Sequence, residues 1–254
     1  MHFVAARTGA YADVGLDVTL VDLRAGELPH DASVACGAAH FAALAGAEIR
    51  IWLIASAAPL FWLYGRRTYA EPASIASYPP GTPPARFLAL ALGAKPVLIP
   101  ARDDAARLAL VASGQADYAL LSSATPPPRV EALEPLFCLA DRVPVPSTGV
   151  ATEGAGGDRV LRLVSAHRRA LGLIAEHPAL AREGVREAFG FTDPEAAWIL
   201  GTVRRHFTPD GRLPLPQLNA AMRTLGLKRS PYAPGVAVEA QLGGMPTNPP
   251  RPSR

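Results

Sequence analysis

The chain has 254 residues, and 49% of them are hydrophobic, which is enough to fill the core of one large domain or of two smaller lobes. Its 25 lysines and arginines exceed its 22 aspartates and glutamates by three, and the arginine pairs are scattered along the chain. Because nucleic-acid-binding proteins usually concentrate positive charge on one face, we do not expect this chain to bind nucleic acid.

The two cysteines, Cys36 and Cys138, are too few for a four-cysteine metal site. Each stands among apolar or small residues, a setting that favours buried free thiols over a disulfide. The stretch nearest to a membrane span, residues 49–64, is interrupted by arginine, serine and proline, so no transmembrane helix is predicted. The first residues lack the basic and long apolar segments of a secretion signal, so we expect this chain, as written, to stay in the cytoplasm.

The first part of the chain alternates helices and strands. Residues 3–11 are predicted to form a short helix, and the alternation of apolar and polar residues over 16–21 predicts a strand. A second helix is predicted over 37–44, and the apolar, branched residues 49–55 predict a buried strand. This order is typical of α/β proteins.

Proline-rich segments bracket a predicted strand over residues 74–77. Thr82 is a suitable N-cap for the next helix, because Pro83 follows it at the first helical position, where a missing N–H costs nothing. This helix is predicted to end at Gly93. The units that follow are a strand over 96–99, a helix over 103–112 and a strand over 117–121. Strands that alternate with helices predict a mainly parallel sheet.

From Asp158 onward the sequence predicts helices alone. They are predicted over residues 158–176, over 178–190, from 193 onward and over 216–225. The end of the chain is rich in proline and polar residues, so residues 243–254 are predicted to form a disordered tail.

Three stretches of the sequence resemble one known family. They are residues 3–18 (FVAARTGAYADVGLDV), 33–37 (SVACG) and 109–119 (ALVASGQADYA). In order and spacing they are similar to the type 2 periplasmic substrate-binding proteins of ABC importers, which take up nitrate, sulfonates, taurine and pyrimidine precursors of thiamine. The helix that contains His177 and Pro178 also resembles the C-terminal part of that family.

The resemblance implies an α/β fold of two lobes with mostly parallel sheets, which close on a ligand by a hinge motion. Residues 1–71 and 143–242 would form lobe I, residues 72–142 would form lobe II, and the chain would cross between them near 69–72 and 141–146. The implied ligand is a small organic or anionic solute, without a cofactor, and the implied protein is a monomer.

The resemblance also implies a periplasmic location, with a membrane permease and an ATPase as partners. Members of the family have a secretion signal and a strand ahead of the first helix, whereas this sequence starts within that helix. The location implied by the family therefore differs from the one expected from the first residues.

Two predicted helix starts are candidate ligand-binding sites. Helix N-termini bind anions because their free N–H groups and the helix dipole point at the ligand. Gly37, Ala38 and His40 stand at one of these starts, and Gly81 and Thr82 stand at the other. The alternative is that the glycines only make turns and that the threonine only caps its helix.

Four hydroxyl residues follow predicted strands and are further candidates. Ser122, Ser123 and Thr125 come after the strand over 117–121, and Ser56 comes directly after the strand over 49–55. Open α/β sheets place ligands at the carboxyl ends of their strands, so we expect some of these hydroxyls to contact the ligand. The alternative is an ordinary polar loop.

An aromatic cluster and several arginines are less specific candidates. The aromatic side chains would line an apolar ligand slot or belong to the core, and the arginines would pair with an acidic ligand or lie in solvent. They are Trp52, Phe61, Trp62, Tyr64 and Tyr78, with Arg66, Arg67 and Arg86.

The sequence carries no motif of the common hydrolases, metalloproteases, P-loop enzymes or dinucleotide-binding enzymes. His40 would be the best-placed general base in an enzyme, but no serine or cysteine stands near it at a diagnostic spacing. The expected function is therefore ligand binding. The alternative is an enzyme of the same fold, related to thiamine-pyrimidine or menaquinone precursor synthesis. A second alternative, a sensing module of a transcription regulator, would need a DNA-binding domain that this sequence does not contain.

Overall fold

The structure is a computed structural model. It describes residues 1–20, 36–66, 68–71, 73–93, 96–126, 130, 133–154 and 156–238, and for residues 36 and 37 it describes the backbone alone. Several sequence predictions fall outside these residues. They are the disordered tail over 243–254, the end of the strand over 16–21, Arg67 and the side chain of Cys36.

Within the described residues, the chain forms helices and strands in mixed order. The helices are α1 (His2–Arg7), α2 (Cys36–Leu44), α3 (Pro83–Leu92), α4 (Asp104–Ala112), α5 (Asp158–Glu176), α6 (Pro178–Phe189), α7 (Asp193–Val203) and α8 (Leu215–Leu225). The strands are β1 (Ile49–Ser56), β2 (Phe61–Gly65), β3 (Ser74–Ser77), β4 (Val97–Pro100), β5 (Tyr118–Ser122), β6 (Glu134–Cys138), β7 (Thr148–Glu153), β8 (Leu213–Pro214) and β9 (Ala237–Val238).

The larger sheet has five strands in the order β4-β3-β5-β2-β6. β3 is parallel to β4 and to β5, because α3 and α4 carry the chain back across the sheet after β3 and β4. β2 is antiparallel to both β5 and β6, so four of the five strands point the same way. This agrees with the mostly parallel sheet predicted from the sequence.

Helices cover both faces of the five-stranded sheet. Successive residues of β2 alternate between the faces, as the pleat of a strand requires: Trp62 packs in one core cluster and Leu63 in another. α4 and α7 contribute to the first cluster, for example through Ile199. α3 and α8 contribute to the second, for example through Phe87 and Leu225. The C-terminal helices α7 and α8 therefore contribute to the core of the five-stranded sheet.

A second sheet, which we call the smaller sheet, pairs β1 with β7 in antiparallel orientation. The two-residue strands β8 and β9 form a separate parallel pair. The other edge of β1 bonds to chain segments far along the sequence. The Ile51 N–H donates to the Pro231 carbonyl at 2.8 Å, and the Ile54 N–H donates to the Gly211 carbonyl at 3.0 Å. The C-terminal third of the chain thus supplies backbone partners that satisfy this edge of β1.

Three sequence predictions about local structure are wrong. α1 ends at Arg7 instead of residue 11, because Thr8 caps its last turn and Gly9 adopts a positive φ of 71°. Residues 16–20 form no strand. β2, β6 and β7 were not predicted, and neither were the two-residue strands β8 and β9 in the part expected to hold helices alone, since these short runs lack the clean alternation of a half-exposed strand.

The position of β2 bears on the predicted lobes. The predicted boundary at residues 71 and 72 falls between β2 and β3, which lie in the same sheet. The chain leaves the smaller sheet at the end of β1, enters the larger one at β2, and returns between β6 and β7. If each lobe is built on one of these sheets, the chain crosses between the lobes at residues 57–60 and 139–147. The existence of two lobes stays a prediction.

Candidate functional site

A cluster of polar side chains lies where β3, β4 and β5 end and α4 begins. We call it the Asp104 cluster, and it consists of Tyr78, Asp104, Arg107, Ser122 and Thr125. Its members come together because parallel strands end at the same edge of the sheet. This is the edge at which the sequence predicted ligand-binding hydroxyls.

The Asp104 carboxylate is the centre of the cluster. One of its oxygens accepts hydrogen bonds from Ser122 Oγ at 2.8 Å, from the Ser122 N–H at 3.2 Å and from Thr125 Oγ1 at 2.7 Å. Its other oxygen accepts from Arg107 Nη2 at 2.6 Å. The predicted hydroxyls Ser122 and Thr125 are therefore joined through an acidic side chain that the sequence reasoning did not single out.

Arg107 is buried, with a relative exposure of 2%. It follows Asp104 by three residues, so the two side chains share one face of α4. Its Nη1 donates to the Ala101 carbonyl at 2.8 Å, and its guanidinium carbon lies 3.8 Å from the centre of the Tyr78 ring. Its Nε has no hydrogen-bond partner among the described residues. A buried ion pair of this kind is costly to break, because each charge is left unpaired away from water.

Two half-buried aromatic rings flank the cluster. The Phe61 ring meets the Tyr78 ring edge to face, with 5.5 Å between their centres. Burial and the nearby Asp104 carboxylate raise the pKa of Tyr78 to about 12, and its hydroxyl is hydrogen-bonded to Ser122. The preceding residue, Ser77, is fully buried, and its hydroxyl has no partner among the described residues. The region around the Asp104 cluster therefore combines aromatic surface with buried polar atoms.

Ser56 lies at the end of β1, where the chain crosses to the larger sheet. Its side chain is buried, and its Oγ donates to the Ala58 carbonyl at 2.7 Å. Ser147, on the returning segment, donates its N–H to the Ser56 carbonyl at 3.1 Å and its hydroxyl to the same Ala58 carbonyl at 2.8 Å. These bonds join the two crossing segments to each other.

In the predicted site at the start of α2, His40 makes a contact within the protein. His40 is fully buried in α2, and its Nε2 lies 2.8 Å from the Tyr232 hydroxyl. Tyr232 belongs to the C-terminal segment that borders β1, so this contact ties α2 to that segment. Ala38 is half-buried, and Gly37 is known only by its backbone.

The predicted site at the start of α3 offers few donors. Gly81 is exposed and has a φ of 87°, which a turn there requires. Thr82 stands at the N-cap, but its hydroxyl donates to the Pro79 carbonyl at 2.7 Å and not to the helix. Pro83 and Pro84 have no N–H, so the first turn presents fewer free donors than an ordinary helix start.

The remaining candidates divide between core and surface. Trp62 and Tyr64 are buried in the core of the larger sheet, as the alternative interpretation expected. Trp52 is half-buried and donates its Nε1–H to Thr152 Oγ1 at 2.9 Å. Ser123 is half-buried beside the cluster, whereas Arg66 and Arg86 are exposed. The guanidinium of Arg86 lies 4.8 Å from the centre of the Phe41 ring.

Two residues of the cluster, Asp104 and Arg107, were missed by the sequence reasoning. The available signal was an acidic residue at the first position of a helix that follows a strand, with an arginine three residues later. That pattern is common on solvated helices, so it gains meaning only when the helix start is known to meet the ends of β3 and β5.

Two cavities of the structure lie away from this cluster. One of about 730 Å³ lies between the end of α2 and residues 226–231, and one of about 300 Å³ lies among α5, α6 and α7. Neither is lined by a predicted ligand-binding residue. No member of the Asp104 cluster lines either of these two cavities.

Cys138 is a buried free thiol, as predicted, and burial raises its pKa to about 11. Among the described residues, no three histidine, cysteine or acidic side chains are grouped so as to hold a metal ion. No described helix combines the length and the apolar character needed to cross a membrane.

No protein-family model and no curated protein matches the sequence. Solved structures do match. The Candida albicans CA3427 gene product, which defines a family with the generic periplasmic binding protein fold, is 17% identical, with 89% of this chain and 85% of that chain covered and a TM-score of 0.68. The alkanesulfonate-binding protein SsuA from Xanthomonas axonopodis pv. citri, bound to MOPS, is 16% identical, with 78% and 76% covered and a TM-score of 0.57.

A third similar structure is that of a cysteine-to-serine mutant of DSZB in complex with biphenyl-2-sulfinic acid. It is 13% identical, with 87% of this chain and 86% of that chain covered and a TM-score of 0.54. At such identities the likeness concerns the arrangement of helices and strands. The resemblance inferred from the sequence is confirmed at that level: the chain has the fold of the periplasmic binding proteins.

Proposed function

We propose that this protein binds a small organic solute beside the Asp104 cluster and acts as the solute-binding component of an ABC importer. The observation that carries the proposal is the convergence of Tyr78, Ser122 and Thr125 at the carboxyl ends of β3 and β5. Ligands of open α/β sheets bind at this edge. The neighbours that bind solutes for ABC importers support the same role.

The proposed mechanism is closure of the two sheets around the solute. The crossing segments at 57–60 and 139–147 would act as the hinge, because they connect the sheets and are bonded to each other through Ser147. Delivery of the solute to a membrane permease with its ATPase belongs to the same proposal, as does the periplasmic location of such a protein.

A thermal-shift screen against sulfonates, nitrate, pyrimidines and aromatic acids tests the proposal. A ligand at about 100 times its dissociation constant adds about 2.7 kcal/mol to the free energy of unfolding, so it raises the Tm. Tyr78→Leu should abolish the shift, whereas the matched variant Tyr69→Leu, whose ring packs on Tyr118, should retain it. A folded protein that no compound stabilises, or equal losses in both variants, would contradict the proposal.

Catalysis is the second candidate, because the enzyme DSZB has a similar fold. The described cysteine, Cys138, does not favour it, since a buried thiol with a raised pKa holds little reactive thiolate near neutral pH. Incubation of the protein with each ligand found in the screen, followed by mass spectrometry, separates the two functions. Recovery of the unchanged compound supports binding, and its conversion supports an enzyme.

A further inference from the structure

We infer that the Asp104 carboxylate fills the oxyanion-binding position of this site, so that the site takes an uncharged ligand and not a sulfonate, nitrate or carboxylate. The inference deepens the proposed function and rests on it for the ligand class. Its basis is the geometry around Asp104, where donors from α4 and from the segment 122–125 meet on one anionic group.

Two hydroxyls, one backbone N–H and one guanidinium make up this set of donors. Such donors form short, charge-assisted bonds to anions, and a protein that binds an oxyanion at the end of a sheet would use the same groups. In this chain all four bonds go to an internal carboxylate. These four donor groups are therefore already bonded to Asp104 before any ligand arrives.

Two other predicted donors are also bonded within the protein. Ser56 donates to Ala58 and Thr82 donates to Pro79, both to carbonyl oxygens. The two prolines that open α3 have no N–H to offer. An oxyanion placed beside Asp104 would find these donors already bonded within the protein, so its desolvation would not be compensated by them.

The charge balance favours an uncharged ligand over a cation as well. Asp104 and Arg107 are in direct contact at 2.6 Å, and their charges cancel. What the region around the Asp104 cluster still offers is the half-buried rings of Phe61 and Tyr78 and the oxygen atoms of its hydroxyls and carbonyls. A ligand with a ring and with N–H or O–H donors matches these groups.

The variant Asp104→Ala tests the inference by removing the carboxylate from the proposed oxyanion-binding position. It leaves Arg107, Ser122 and Thr125 around a space that formate fits, so formate should bind there and stabilise the protein. We expect a formate concentration about tenfold above the dissociation constant to raise the Tm of the variant by about 3 °C relative to chloride at equal ionic strength.

Asp103→Ala is the matched control. Asp103 precedes Asp104 and caps α4 by accepting from the Ala106 N–H at 2.8 Å, but it takes no part in the cluster. This variant should be less stable in both salts, without rescue by formate. Equal responses of the two variants would overturn the inference. If Asp104→Ala does not fold in chloride, folding restored by formate supports the inference, and no restoration contradicts it.

Thermal-shift measurements on the wild-type protein distinguish a failure of this inference from a failure of the proposed function. Benzamide and benzenesulfonate share a ring and differ in charge, and we expect benzamide alone to raise the Tm. A larger shift with benzenesulfonate overturns the inference and leaves solute binding standing. If neither compound has an effect while formate still rescues Asp104→Ala, the role of Asp104 stands and the proposed function loses support.

Discussion

The five-stranded sheet and the smaller sheet are completed in different ways. The five-stranded sheet takes all its strands from residues 61–138, and helices cover both its faces. The smaller sheet pairs β1 with β7, about one hundred residues later in the chain, and completes β1 with backbone from beyond residue 206. One region is therefore assembled largely from neighbours in sequence, and the other depends on contacts between distant parts of the chain.

The two regions share their C-terminal helices. In α8, Leu218 packs in the core of the smaller sheet, while Ala221 and Leu225 pack against the larger one. In α7, Ile199 and Val203 pack against the larger sheet, and the 3-10 turn that follows leads into the segment bonded to β1. A helix buried against two sheets couples them, so we expect the two regions to unfold together.

The largest expected effect tests this coupling. Leu53 in β1 and Leu120 in β5 are both fully buried, and replacing either by alanine should lower the free energy of unfolding by about 3 kcal/mol. Calorimetry should show a single transition in both variants, lowered by a similar amount. Leu161→Ala, at a position 58% exposed, should change stability by no more than about 0.5 kcal/mol. Two separate transitions, each sensitive to one of the buried leucines, would show that the regions fold independently.

A smaller effect is expected at the segment that borders β1. Gly211 has a φ of 82°, and a β-carbon there would lie 2.6 Å from Leu53 Cγ. Gly211→Ala should therefore lower the free energy of unfolding by about 2 kcal/mol or more, from backbone strain and from the clash. Gly226→Ala is the control, because its φ is 70° but nothing lies within 4 Å of the new carbon. Chemical denaturation measures both, and equal losses would mean that the clash with Leu53 adds nothing to the cost of backbone strain.

We expect acid to lower the stability of the protein through a buried histidine, His167. His167 of α5 is buried, and its Nε2 lies 2.8 Å from the Tyr11 hydroxyl and 2.9 Å from His2 Nδ1. Burial, with a lesser contribution from His2, lowers the pKa of His167 to about 3. Its imidazole is therefore neutral in the folded protein throughout the range in which an unfolded histidine titrates, near pH 6.5.

The sign follows from proton binding. Between pH 6.5 and about 3 the unfolded chain binds more protons at this histidine than the folded one, so stability falls as the pH falls. The slope from this group is about 1.4 kcal/mol per pH unit. His167→Gln should flatten the dependence of Tm on pH between 6 and 4. An unchanged slope in His167→Gln would contradict the prediction.

The difference between the regions also explains which sequence predictions succeeded. The sequence predicted the bounds of five successive elements nearly to the residue, since each has its own turn and cap signals: β3, α3, β4, α4 and β5. α5 and α6 were predicted equally well. β2 was missed because its residues are nearly all buried on both faces, which removes the alternation that marks a strand.

The candidate site was predicted in part. Ser122 and Thr125 were singled out because they follow a strand, and the structure joins them through Asp104. The ligand roles of Gly37, Ala38, His40, Ser56, Gly81, Thr82, Ser123 and these two remain predictions. Asp104 and Arg107 could not be recognised from their residue types, because the same pair on a solvated helix would be ordinary.

By itself, the sequence determined the fold class and most of the α/β units, because hydrophobic periodicity, prolines and glycines act over a few residues. Tertiary structure alone decided the partners of β1, the packing of α7 and α8 on the larger sheet, and the burial of Arg107 against Asp104 and Tyr78. These features depend on which distant groups meet and exclude water, and a local pattern carries no record of that.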